Sequence, residues 1–188
     1  MSERIPQELA RRIRLVALDV DGVLTDNGVF IGQTASGETL ELKRFGITDG
    51  LGIKMLKWAG ITVALVSGRH SEATRVRAEE LEIECYQDSS AKKLPALQAL
   101  MSDYGVSWDE IAFVGDDLAD LPVLERVALP VAVANAVPEV KAMARWRTSR
   151  AGGDGAVREF AEALLKARGE WSGLVEAYRS ARQGSPSP

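Results

Sequence analysis

Five short apolar runs, with amphipathic stretches between them, limit what this chain can fold into. They lie at 15–20, 61–66, 83–86, 111–114 and 131–133. Each is apolar on consecutive residues rather than alternate ones, the pattern of strands buried on both faces. The stretches at 50–58, 71–81, 94–104 and 118–127 carry helical periodicity. Strand and helix in alternation predict an α/β fold, a doubly wound parallel sheet with helices on both sides. One segment breaks the rhythm. Residues 29–32 and 38–45, on either side of Gln33-Thr34-Ala35-Ser36-Gly37, read as a β-hairpin projecting from the sheet after the first strand. Towards the C-terminus, 145–148 reads as a last short strand and 156–166 as a helix. The segment 171–179 reads as one more amphipathic helix.

The bulk numbers are those of a soluble domain: 188 residues, 46% hydrophobic and 27% charged. Residues 1–168 are expected to form that domain, 169–182 a helical extension and 183–188 a disordered tail. The net charge of −4 argues against nucleic acid or a membrane surface as a partner, since both select clustered positive charge. The single cysteine, Cys85, excludes an intrachain disulfide and fits a reducing compartment. No stretch reads as a signal peptide or a membrane span, so the expected location is the cytoplasm.

In open parallel sheets, ligands bind at the carboxyl ends of the strands. The residues after each predicted strand are polar in turn. The first strand ends in Asp19 and Asp21, the second in Ser67-Gly68-Arg69. The third is followed by a polar loop reaching Lys92, the fourth by Gly115-Asp116-Asp117 with Asp120 beyond. Two carboxylates at the mouth of a buried strand repel each other and resist desolvation, which suits chemistry rather than stability.

The set suits phosphoryl transfer. An ionised Asp19 can attack phosphorus without a base to activate it. Asp19, Asp116 and a carbonyl oxygen suit Mg²⁺, which prefers hard oxygen ligands. Lys92 is the expected point charge for the phosphoryl group, although Lys93 stands beside it. Ser67 and the amides near Gly68 can bind phosphate oxygens. Asp21 can protonate the leaving alkoxide and then activate water.

In this order the residues resemble the haloacid dehalogenase-like phosphatases. The resemblance rests on Asp19-Val20-Asp21-Gly22-Val23-Leu24-Thr25-Asp26, Ser67-Gly68-Arg69, Lys92 and Gly115-Asp116-Asp117-Leu118-Ala119-Asp120. Phe45 with Asp49-Gly50-Leu51-Gly52-Ile53-Lys54, and the segment Ala151-Gly152-Gly153, extend it to one branch. That branch acts on 3-deoxy-D-manno-octulosonate 8-phosphate and acylneuraminate 9-phosphates. The resemblance implies Asp19 as nucleophile and metal ligand, and Asp21 as acid/base and main-chain ligand. It implies Asp116 as a further Mg²⁺ ligand with Asp117 in support, and Ser67 and Lys92 on the phosphoryl group. It places a sugar-acid phosphate against Asp21, the loop Gly46, Ile47, Thr48, Asp49 and Gly50, and Lys54, Arg69 and Arg77. Gly46 and Thr48 stand where the branch usually has Asn and Arg.

Many members of this superfamily carry an inserted cap domain. Here the spans between motifs hold only a hairpin, a loop and single helices, so no cap domain is expected. The hairpin would instead help cover a neighbour's site, and the resemblance implies a homotetramer. A receiver-like signalling domain, which also gathers carboxylates and a lysine at a sheet edge, is the competing class. Asp21 argues against it, because a switch that stores phosphate has no use for a built-in acid/base.

Overall fold

Leu15, Val16, Ala17 and Leu18 are all buried and form β1 (Leu15–Leu18) at the centre of the molecule. The computed structural model describes residues 4–183. After β1 come β2 (Phe30–Gln33), β3 (Thr39–Leu42), β4 (Thr62–Ser67), β5 (Glu84–Gln87), β6 (Ile111–Gly115), β7 (Leu129–Ala132) and β8 (Trp146–Arg147). The helices are α1 (Gln7–Arg12), α2 (Ile47–Trp58), α3 (Glu72–Leu81), α4 (Lys93–Tyr104), α5 (Leu121–Leu124), α6 (Pro138–Met143), α7 (Ala156–Arg168) and α8 (Trp171–Arg182).

Six strands make one parallel sheet in the order β5-β4-β1-β6-β7-β8, so β1 is hydrogen-bonded on both sides. The chain runs outward from β1 to β4 and β5, then crosses back to β6 on its other side. The switch point between β1 and β6 is where such a sheet opens a crevice. The core on both faces is fully buried and includes Leu18, Leu65, Phe113, Ile53 and Phe160. Between β1 and β4 lie only the β2–β3 hairpin and α2, so the fold carries no cap domain there.

The structure departs from the sequence expectations at several points. β1 ends at Leu18 because the chain turns at once: the Val20 carbonyl accepts from the amides of Val23, Leu24 and Thr25. The helix expected over 118–127 is a 3-10 turn at Leu118–Asp120 followed by the short α5, with Pro122 in its first turn. Residues 47–50 are the first turn of α2 rather than a loop. Two six-residue helices, α1 and α6, were not expected at all. α8 lays Trp171, Leu174 and Tyr178 against the chain's own core, and Tyr178 packs at a tilt against Trp58 with ring centroids 5.7 Å apart. The expected tail lies outside the described residues from 184 onward.

Candidate active site

β1, β4 and β6 deliver three polar groups to one edge of the sheet. Asp19 follows β1 and donates its amide to the Val114 carbonyl at 3.0 Å, which locks it beside the end of β6. Ser67 closes β4, and its hydroxyl both donates to the Arg69 carbonyl and accepts from the Arg69 amide. Asp116 follows β6. Its amide donates to Asp120 Oδ2 at 2.9 Å. Asp19, Ser67, Asp116 and Asp120 are all buried.

The turn after β1 needs glycine. Gly22 has φ +91°, and a Cβ there would collide with the Asp116 carboxylate. A second close approach comes from the C-terminal third. Gly152 lies directly on the Gly22 carbonyl, too near for any side chain. Asn135 ties the two segments together: its Nδ2 donates to the Gly22 carbonyl and its Oδ1 accepts from the Gly152 amide.

The lysine of the site is Lys93, not Lys92. Lys93 Nζ lies 2.5 Å from Asp19 Oδ1 and 2.6 Å from Asp120 Oδ1, with its side chain 4% exposed. Lys92 is exposed at the N-cap of α4. Adjacent residues at a helix start point about 100° apart, so only one of the pair can face the site. Burial alone would push the Lys93 ammonium down, but the charges of Asp19 and Asp120 outweigh it and hold the lysine above its ordinary range. Burial pushes the Asp19 carboxyl up to about 6, against the pull of Lys93. Burial and the neighbouring charges of Asp19 and Asp120 push Asp116 up to about 8.

Asp19, Asp116 and Asp120 each bring a carboxylate oxygen within 4.8 Å of the others. Their oxygens are not equally free. Asp120 is committed on both, to Lys93 through Oδ1 and to the amides of Asp116 and Asp117 through Oδ2. Asp116 Oδ1 is buried without a hydrogen-bond partner. An orphaned carboxylate oxygen beside a second raised carboxyl is the donor set that a hard divalent cation satisfies. The metal ligands would therefore come from Asp19 and Asp116, with Asp120 bracing them. Asp117 does not join the cluster: it is exposed and caps the next turn, accepting from the Leu118 amide at 2.7 Å.

The expected sugar contacts divide. Asp49 and Gly50 are buried. Asp49 faces away from any solute, its carboxylate accepting from the amides of Gly155 and Arg158 and so capping α7. Burial raises its carboxyl while those hydrogen bonds oppose the rise. Arg77 is buried too, bonded to the Gly46 carbonyl and lying over the Phe45 ring, so it supports the start of α2. Lys54 is exposed and sits over Trp58, two turns along α2. Thr48 lines a groove of about 540 Å³ with Arg150, Arg158 and Glu162, none of the cluster's carboxylates among its lining. Ile47 is exposed at the surface. Arg69 reaches the hairpin, 2.5 Å from Glu41 Oε2.

Three hairpin and loop residues have no counterpart among the expected ones. Lys43 Nζ stands 2.7 Å from Asp21 Oδ1. Glu41 holds both Arg69 and the Ser71 hydroxyl. Asn135 holds the Gly22 turn. An alternating polar pattern over 39–43 was visible in the sequence, but which face met the site was not.

Comparison with known proteins agrees with this geometry. A haloacid dehalogenase-like hydrolase model matches residues 86–160. The chain is 42% identical over 161 residues to 3-deoxy-D-manno-octulosonate 8-phosphate phosphatase of Escherichia coli, covering 86% of this chain and 84% of that protein. Its fold matches a putative hydrolase of the same superfamily from Legionella pneumophila with a TM-score of 0.83 and 40% identity, over 93% of each chain. It matches the Moraxella catarrhalis 3-deoxy-D-manno-octulosonate 8-phosphate phosphatase, solved with magnesium, phosphate and the KDO molecule, with a TM-score of 0.84 and 34% identity. That match covers 92% of this chain and 97% of the other. A buried carboxylate cluster at the switch point, a lysine against it, and this likeness over most of the chain agree: the chain belongs to the haloacid dehalogenase-like hydrolases, among their phosphatases.

Proposed function

We propose that the chain is a Mg²⁺-dependent phosphomonoesterase acting on a sugar-acid phosphate, with 3-deoxy-D-manno-octulosonate 8-phosphate as its substrate. The observation that carries this reading is the buried group of Asp19, Asp116, Asp120 and Lys93, with Asp21 two residues from Asp19. The likeness to phosphatases of that substrate supports the choice of sugar acid.

Asp19 attacks phosphorus through the carboxylate oxygen, and the P–O bond to the sugar breaks. An aspartyl-phosphate forms on Asp19. Asp21 gives its proton to the departing sugar oxygen, then takes one from the water that cleaves the aspartyl-phosphate. Lys93 offsets the charge on the phosphoryl oxygens while keeping Asp19 oriented. Ser67 and the amides after it bind a phosphoryl oxygen. Asp19, Asp116 and the Asp21 main-chain oxygen would hold Mg²⁺, which offsets negative charge on the phosphoryl group when bound.

The hairpin supports a further part of the proposal. Cross-strand pairing sets Phe30 opposite Leu42 and Gly32 opposite Leu40, which puts Phe30, Leu40 and Leu42 on one face and Ile31 on the other, opposite Glu41. On that second face Glu41 holds Arg69. Phe30 is 68% exposed and Leu42 54%. An apolar face turned away from the chain's own site suits a second copy, in a homotetramer whose hairpins complete each other's clefts. Among the described residues no helix is long and apolar enough to cross a membrane, and the lone cysteine fits the cytoplasm.

Phosphate release from a panel of sugar and sugar-acid phosphates, with and without Mg²⁺, tests the reading. The expected result is Mg²⁺-dependent turnover of octulosonate 8-phosphate, abolished in Asp19→Asn. Preferential turnover of an acylneuraminate 9-phosphate would move the substrate to the neighbouring branch. A stable phospho-protein with no turnover would favour the receiver-like reading.

A further inference from the structure

We propose that Lys43, delivered by the hairpin, is a positioning residue that holds Asp21 in place for proton transfer. The inference rests on the phosphatase reading above and extends it to a residue outside the sheet-edge motifs.

Lys43 follows β3 directly, and the hairpin's base is pinned by the bridge between Thr25 and Phe45. Its side chain has 0% exposure. Burying an ammonium costs several kcal/mol unless charged or polar partners surround it, so such a lysine is poor evidence of stabilisation and calls for another reason. Its partners are Asp21 Oδ1 at 2.7 Å, Thr74 Oγ1 at 3.2 Å and Glu41 Oε1 at 3.9 Å. Thr74 is fully buried in the first turn of α3, where its amide donates to the Ser71 cap. Glu41 is itself held by Arg69 and Ser71. The ammonium is thus fixed from the hairpin and from α3, and only then meets Asp21.

Asp21 needs such a guide. It sits in the turn after β1, and its Oδ1 is buried with no well-aligned hydrogen bond, only the ionic contact with Lys43. Its side chain is 22% exposed, so the open part is the side bearing Oδ2. Anchoring one oxygen turns the other toward the cleft. A displacement of about 1 Å in a proton-transferring group can cost on the order of a hundredfold in rate.

The role predicts a leaving-group dependence. A sugar alkoxide is strongly basic and must receive the Asp21 proton as its P–O bond breaks. A p-nitrophenolate is weakly basic and departs without one. Lys43→Met should therefore lower kcat/KM for the sugar-acid phosphate more than kcat/KM for p-nitrophenyl phosphate, changing the ratio by about tenfold or more, because kcat/KM reports the step in which the alcohol departs and not the hydrolysis of the aspartyl-phosphate common to both. Thr74→Val, which keeps the charge but removes the hydroxyl holding it, should shift the ratio the same way by a smaller factor. It decides the matter if Lys43→Met fails to fold. An equal fall in kcat/KM for both compounds, as for a lysine that binds phosphate or only supports the hairpin, would overturn the proposal. So would an unchanged ratio in both variants. A parent protein that releases phosphate from neither compound would overturn the phosphatase reading itself.

Discussion

At the scale of single residues, the site depends on which of two adjacent lysines turns inward. Lys93→Met leaves Asp19 and Asp120 buried beside each other without their cation, at a cost of roughly 3–5 kcal/mol in stability at neutral pH. It should lower kcat by about 10²–10³-fold. Lys92→Ala is an exposed change and should alter stability by no more than about 0.5 kcal/mol. Melting curves and phosphate release on the two variants check this, and the reverse ranking would reassign the lysine. The raised carboxyls make a second prediction. In metal-free protein Asp19 and Asp116 hold their protons more tightly folded than unfolded. The stability they contribute is complete below 3.8 and is lost as pH rises through about 6 for Asp19 and about 8 for Asp116. A bound cation needs both ionised, so the melting-temperature gain on adding Mg²⁺ should grow from pH 6 to pH 8. A gain independent of pH would remove Asp116 from the ligand set.

At the scale of elements, the sheet was legible because its inner strands are nearly continuous apolar runs, and Leu15–Leu18 or Ile111–Gly115 have few other ways to be buried. The carboxylates were legible for the same reason, since a strand end fixes where the next residue emerges. What escaped was set by tertiary packing. α1 and α6 are six residues each, too short to show a period, and are held by burial of Leu9, Ala10 and Val140. Asp49 resembles a binding residue in the sequence, yet it caps α7 across more than a hundred residues of chain. Which of the two adjacent lysines turns toward the carboxylates is set by the start of α4, which falls between Lys92 and Lys93 and leaves no mark in the sequence. Gly152 was recognisable only as part of a motif, whereas its physical reason is contact with the Gly22 turn. Gly152→Ala must displace that turn, because its Cβ would fall on the Gly22 carbonyl. It should lower kcat on the order of a hundredfold while the sheet stays folded, as circular dichroism would report. A fully active Gly152→Ala protein would remove this contact from the site's support.

At the scale of the whole molecule, the hairpin buries little of its own surface. All four residues of β2 are exposed, and a two-stranded ribbon is marginal by itself. The proposed tetramer would supply the missing contact. Sedimentation of the parent at micromolar concentration should give the tetramer, and Phe30→Asp with Leu42→Asp should give smaller species with lower activity per chain. A parent that sediments as a monomer would refute the assembly and leave an open cleft. A single-chain disruption that leaves specific activity intact would separate assembly from catalysis.

The clasp of Asn135 and Gly152 on the Gly22 turn also has a meaning in time. Asp19 and Asp21 leave the ribosome well before the segment that seats their turn, since Asn135 lies 113 residues beyond Gly22. β1 itself needs β4 and β6 on either side before it is enclosed. A nascent chain therefore carries its reactive carboxylates long before they can act, and gains activity only once that later segment has been made and has folded onto them. A chain ending at Arg150 would hold Asp19, Asp21, Lys93 and Asp116 and still lack the clasp. It should bind the proposed cation poorly and release no phosphate.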